Sequence, residues 1–151
     1  MHEENMKMES IQDQLMQQFQ NMDRAYEAYA RSKGFNYLSL VVLEEIYETG
    51  DGCTQKQISE DTLYPKQSVN LVVKSFAEAG YVELREQPEN RKNKQIFLTA
   101  QGRALCARVI APLLEMENRT LEKMGGAESR ALLRLLSLYS ACYCEGLKEL
   151  L

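Results

Sequence analysis

Pro65 separates two stretches of chain, each too short and too firmly bounded to be more than a small helix. Proline has a fixed φ and no N–H to give, so it suits the first position of a helix and not the interior. Upstream, Thr54 stands three residues ahead of Gln57, the spacing of a reciprocal capping box, and predicts a short helix over residues 55–61. The sequence Leu63-Tyr64-Pro65 then turns the chain. Downstream, a second helix is predicted over residues 65–79, with Gly80 as its stop. Residues 81–85 alternate like a strand, residues 86–93 read as a polar turn containing Pro88 and Asn90, and residues 95–98 read as the returning strand. A short helix, a tight turn, a second helix and a β-hairpin in that order predict a winged helix-turn-helix.

Both flanks are helical. Residues 10–32 set Ile11, Leu15, Phe19, Met22, Tyr26 and Tyr29 three or four apart, and Gly34 ends the segment. Asn36 is placed to cap a helix that carries Leu38, Leu40, Val41, Val42, Leu43, Ile46 and Tyr47, and residues 49–52 break it. Thr99 is placed to cap a long helix reaching about residue 124, with Pro112 as a predicted kink. Gly125-Gly126 sets off a last helix to about residue 150, which carries the stripe Leu132, Leu135, Leu136, Tyr139 and Tyr143.

An apolar fraction of 44% is enough for a core, and no uncharged apolar run approaches the ~18 residues of a membrane span. Residues 1–10 are polar and acidic, unlike a signal peptide, so the chain is expected in the cytoplasm, with His2 in a disordered tail. Cys53, Cys106, Cys142 and Cys144 are then expected as free thiols. A net charge of −4 counts against a nucleic-acid partner, but the charge is uneven. Residues 1–53 carry ten acidic and four basic side chains, whereas residues 54–94 carry seven basic and six acidic, as do residues 95–151. Local potential, not net charge, governs contact with phosphates.

On the helix after Pro65, Lys66, Asn70 and Lys74 form a row four residues apart with Gln67 beside it, while Val69, Val72, Val73 and Phe76 gather on another face. A groove-reading helix needs this division: an apolar stripe to anchor it, and amides and cations to meet base edges and phosphates. A merely solvated helix face would show the same row; the turn before it and the hairpin after it favour DNA contact. Arg91, Lys92 and Lys94 charge the hairpin, and Ser59 is small where two helices approach.

In this order the segments resemble the MarR family. The resemblance runs through Thr54-Gln55-Lys56-Gln57-Ile58, then Pro65-Lys66-Gln67-Ser68-Val69-Asn70-Leu71-Val72-Val73-Lys74, then Ala79-Gly80-Tyr81-Val82 and Leu98-Thr99-Ala100-Gln101-Gly102-Arg103-Ala104-Leu105. It implies a mainly α fold with a small β-hairpin wing, divided into an N-terminal dimerisation helix (residues 1–34), a winged helix-turn-helix DNA-binding domain (35–100) and C-terminal dimerisation helices (101–151). The implied protein is a transcription regulator, in the usual case a repressor, acting as a homodimer on pseudo-palindromic double-stranded DNA. Thr54, Lys66, Gln67, Ser68, Asn70, Lys74, Arg91, Lys92 and Lys94 would be its DNA contacts. One departure concerns the wing, where Asn90 stands in place of the family's usual acidic residue beside Arg91 and Lys92. Relatives bind small aromatic or lipophilic effectors, for which Tyr26, Tyr29, Phe35 and Tyr37 are candidates, although a role in the core serves them equally well.

Two other classes compete. Cys53 lies just before the Thr54 cap, where a helix N-terminus can lower a thiol pKa, which admits a redox sensor. A protein-interaction module that kept the winged fold and lost DNA binding is the other, against which the basic wing counts. No metal cluster, cofactor loop or nucleophile motif is visible, so no enzyme and no cofactor are expected.

Overall fold

The computed structural model describes the backbone of residues 2–151 and the side chains of residues 11–89 and 93–151. The elements run α1 (His2–Ser32), α2 (Tyr37–Thr49), β1 (Cys53–Thr54), α3 (Gln55–Thr62), α4 (Lys66–Glu78), β2 (Val82–Gln87), β3 (Asn90–Leu98), α5 (Ala100–Met124) and α6 (Gly126–Glu149). Residues 1–110 and 111–151 form two compact units.

Most boundaries follow from local chemistry. α1 and α4 both end in Schellman motifs. Gly34 (φ +83°) donates to Arg31 O while Phe35 N donates to Ala30 O, and Gly80 (φ +78°) donates to Ala77 O while Tyr81 N donates to Phe76 O. The Tyr81 ring packs edge-on against Phe76 at 6.4 Å, the apolar contact that accompanies this cap. The Asn36 side chain accepts from Ser39 N at 2.8 Å and so caps α2. Thr54 and Gln57 make both halves of the predicted capping box on α3. Ser59, expected only to make room, also donates its hydroxyl to Tyr64 O at 2.7 Å and closes the turn. Pro65 falls one residue earlier than predicted, immediately before the first helical residue of α4.

Three features depart from the sequence reading. α1 begins at His2, not near residue 10, so His2 belongs to a helix and not to a disordered tail. Residues 3–9 are Glu, Asn, Met and Lys, mostly good helix formers that need no apolar stripe. The hairpin is longer than predicted, pairing as far as Gln87 with Asn90, so only Pro88 and Glu89 turn the chain. Ladder bonds are made by the backbone, and polar side chains do not stop them; the register is irregular between Arg85 and Gln87. A third strand, β1, was not expected. It adds Cys53 opposite Ile96 and Thr54 opposite Gln95, giving a sheet ordered β1-β3-β2.

The core of the first unit is built from Leu40, Leu43 and Ile46 of α2, Ile58 of α3, Val69, Val73 and Phe76 of α4, Ile96 of β3, and Leu105, Cys106 and Ile110 in the first turns of α5. α4 thus turns its valine and phenylalanine face inward, as its periodicity required. In the second unit, α5 continues past Pro112, and Gly125 (φ +92°) leads into α6. Ser129 donates to Leu121 O at 3.0 Å across this turn. α6 buries none of its residues.

Two positions respond to glycine in opposite directions. A Cβ on Gly102 would stand 1.9 Å from the Tyr81 carbonyl oxygen, so Gly102→Ala must push backbone against backbone. It should cost about 1–3 kcal/mol. Leu63 holds a left-handed conformation (φ +59°) after α3 with its side chain 88% exposed, so it carries strain without packing in return. Leu63→Gly should stabilise by roughly 0.5 kcal/mol, the relief of strain exceeding the flexibility gained by the unfolded chain. Urea unfolding at one fixed protein concentration measures both; a neutral Gly102→Ala would mean the backbone approach is not tight.

Candidate nucleic-acid interface

α4 presents Lys66, Gln67, Asn70 and Lys74 to solvent, while Val69, Val72, Val73 and Phe76 are 0–8% exposed. Ser68 is half-buried at the edge of this face, with its N–H donated to Pro65 O. Lys74 sits 3.9 Å from Glu78 on the same helix, an exposed pair of little energetic weight. Thr54 holds a structural post: its hydroxyl accepts from Gln57 N and its own N–H donates to the Gln57 side chain at 2.8 Å. Any contact it makes outside the chain competes with that capping box.

Beside α4 the hairpin supplies a second wall. A groove of about 490 Å³ is lined by Gln55 at the start of α3, by Lys66, Gln67 and Asn70 of α4, and by Leu84, Asn93 and Lys94 of β2 and β3. Among the seven described residues that line it, four carry amides, two carry ammonium groups and none is acidic, in a chain whose net charge is −4. Lys94 also lies 3.8 Å from Glu86 across the hairpin. The groove brings together Lys66, Gln67, Asn70 and Lys94, four of the residues singled out in the sequence. Gln55 and Asn93 were missed; the amide of Gln55, directly after a helix cap, was the available signal. The side chains of Asn90, Arg91 and Lys92 lie outside the described residues, though the backbone of all three belongs to β3.

The hairpin is braced by its own side chains. The Arg85 guanidinium lies 4.1 Å from the centroid of the Phe97 ring and 3.1 Å from the Glu83 carboxylate. Asp51 accepts from Leu98 N at 3.4 Å and approaches Arg103 at 3.7 Å, tying the loop before β1 to the end of β3 and to α5.

The aromatic candidates for an effector site have partners within the first unit. Tyr26 donates to Glu44 at 2.6 Å and lies 4.8 Å from the ring of Tyr37, which itself donates to Asp23 at 3.2 Å. Tyr29 donates to Val109 O at 2.6 Å, and Phe35 meets Phe76 edge-on at 6.1 Å. Tyr37 also lines an open depression of about 470 Å³ with Asp23, Arg24, Glu27, Ala28 and Arg31. Burial first, and the Asp23 carboxylate second, hold the Tyr37 hydroxyl above its ordinary pKa. Burial does the same for Tyr29.

All four cysteines are free thiols. Cys53 does not feel the helix N-terminus as an activating field. Burial, and after it the Glu45 carboxylate, push its thiol up to about 11. Burial raises Cys106 to about 11 as well. Cys142 and Cys144 are exposed on α6.

A short helix, a turn closed by Ser59, a polar-faced second helix and a braced β-hairpin define the chain as a winged helix-turn-helix protein. Residues 33–92 match the model of the MarR family. Solved structures agree along most of the chain. A MarR family regulator from Neisseria meningitidis is 25% identical, with a TM-score of 0.74 over 91% of this chain and 96% of that one. FabT of Streptococcus pneumoniae, solved in complex with DNA, is 20% identical, with a TM-score of 0.71 over 92% and 98%. A MarR/EmrR family transcriptional regulator from an Acinetobacter species is 21% identical, with a TM-score of 0.68 over 91% and 96%. A search of curated proteins gives no match. Over residues 33–92 the chain is similar in sequence to the MarR family, and along most of its length it shares the fold of these MarR family regulators.

At pH 8 the thiols of Cys53 and Cys106 should resist iodoacetamide in the folded protein and react fully in denaturant, read by mass spectrometry of the labelled peptides. The unfolded thiol ionises near 9.0 and the folded ones near 11, so this pair should cost the protein stability as pH rises from about 9 to 11 and be silent below. Labelling of native Cys53 at the rate of a free thiol would restore the redox-sensor reading.

Proposed function

We propose that this protein is a sequence-specific DNA-binding transcription regulator that works as a homodimer on pseudo-palindromic duplex sites. The observation that carries this reading is the division of α4. Its apolar face is sealed in the core, while Lys66, Gln67, Asn70 and Lys74 stand in solvent beside a groove with no acid among its described lining residues. An α-helix fits the major groove, amides pair with adenine edges, and lysines meet phosphates. The groove between α4 and the hairpin suits a sugar–phosphate strand, with Lys66 on one wall and Lys94 on the other. Arg91 and Lys92 extend the positive charge along β3. The DNA-bound state of FabT, a fold neighbour, supports the same reading.

The dimer rests on exposed apolar surface at both ends of the chain. Leu132, Leu135, Leu136, Tyr139, Tyr143 and Leu147 of α6 are 38–57% exposed, and Ile11 and Met22 of α1 are 62% and 60% exposed. Contiguous apolar surface of this kind marks an interface, and obligate dimers bury about 2,000 Å² or more. Repression, relieved by a small aromatic or lipophilic molecule met near Tyr37, completes the proposal; the open depression beside that ring is its support.

Asn70→Ala should lose about 1–3 kcal/mol on the proper site and relax preference at one base pair. Arg91→Ala and Lys94→Ala should weaken binding to every duplex alike and flatten the salt dependence by about one per phosphate contact. Fluorescence anisotropy on specific and scrambled duplexes across a salt series tests this. Equal, uniform losses for Asn70→Ala and Lys94→Ala would refute the division of labour.

Sedimentation equilibrium at micromolar concentration should give twice the 17.3 kDa chain mass. A folded monomer there ends the dimer proposal.

A further inference from the structure

One residue on the outer face of α4 does not belong with the amides and lysines around it. Leu71 is 69% exposed, although α4 has an apolar interior face available on its other side. It lies one turn beyond Gln67, about 40° from it around the helix, and directly follows Asn70. The polar residues on either side leave it alone: no second large apolar side chain of α4 is exposed. A single leucine set among Lys66, Gln67, Asn70 and Lys74 is too small a patch for a protein partner.

The major groove offers one apolar group, the C5-methyl of thymine, and it lies close to the adenine N6 and N7 that an amide side chain reads. Side chains four apart on a helix stand about 5–6 Å from each other, and successive bases about 3.4 Å. A glutamine and a leucine at this spacing therefore span one or two base steps. We infer that Leu71 is a specificity-determining residue that reads the C5-methyl group of a thymine within a base step or two of the adenine met by Gln67. The inference rests on the proposed DNA-binding role of α4 and adds an apolar element to it: hydrogen bonding selects adenine, and exclusion of water from a methyl group selects thymine over cytosine.

The test uses the full-length protein and a duplex enriched by it from a random-sequence pool. Each thymine in one half-site is replaced in turn by deoxyuridine, which removes the methyl group and leaves pairing intact. Wild-type protein should lose about three- to fivefold in affinity at one thymine per half-site, the worth of one buried methyl. Leu71→Ala, at an exposed helical position where alanine is a better helix former, should bind the parent duplex more weakly and be indifferent to that replacement. Leu71→Met, apolar and similar in volume, should keep the discrimination. The inference is overturned if no thymine shows the loss, or if Leu71→Ala discriminates as wild type does. Those results leave DNA binding itself standing. Failure to enrich any duplex removes the DNA reading and this inference with it.

Discussion

Val69, Val72, Val73 and Phe76 hold α4 by one side, and the bearing of its other side follows from that. Three of the four are β-branched, with few rotamers to lose on burial, and Phe76 makes edge-on contacts with Phe35 and with Tyr81. Phe76 therefore fixes the helix against the end of α1 and the start of the hairpin together. A helix anchored only by backbone hydrogen bonds would be free to roll by tens of degrees. One anchored by four interdigitated side chains is not, because protein interiors are close-packed. Lys66, Gln67, Asn70 and Lys74 keep a constant outlook for this reason, although they themselves are loosely held.

The charge distribution makes sense against the same frame. The acidic excess sits in residues 1–53, mostly on α1 and α2, whereas none of the described residues lining the groove beside α4 is a carboxylate. At physiological ionic strength a surface charge is screened beyond about 8 Å. An acidic body and a cationic groove therefore coexist, and net charge is a poor guide to what such a groove attracts.

Much of this was legible in the sequence because it is written locally. Gly34, Asn36, Thr54 with Gln57, Gly80 and Thr99 each mark a boundary through bonds made within a few residues. The four-residue row on α4 and its apolar counterface needed only the helical period. The parts that were not legible depend on distant partners. β1 is two residues long, too short for any periodicity, and exists because Ile96 and Gln95 lie opposite. The helix after Cys53 is a local feature and admitted an activated thiol, while the burial that silences it is set by the fold around it. Gln55 and Asn93 join the groove through the packing of α3 and β3. Leu71 carried no mark of its own in the sequence; its exposure sets it apart.

Thr99 links three segments at one point. Its hydroxyl donates to Gly80 O at 2.6 Å and accepts from Gly102 N at 3.0 Å, while its N–H donates to Tyr81 O at 3.0 Å. Gly102 lets α5 sit directly on that same carbonyl. The end of α4, the root of the hairpin and the first turn of α5 are thereby welded into a single joint. Such a joint has no play of its own, so it acts as a fulcrum. Whatever displaces the first turn of α5 therefore also displaces the root of the hairpin, which forms one wall of the groove.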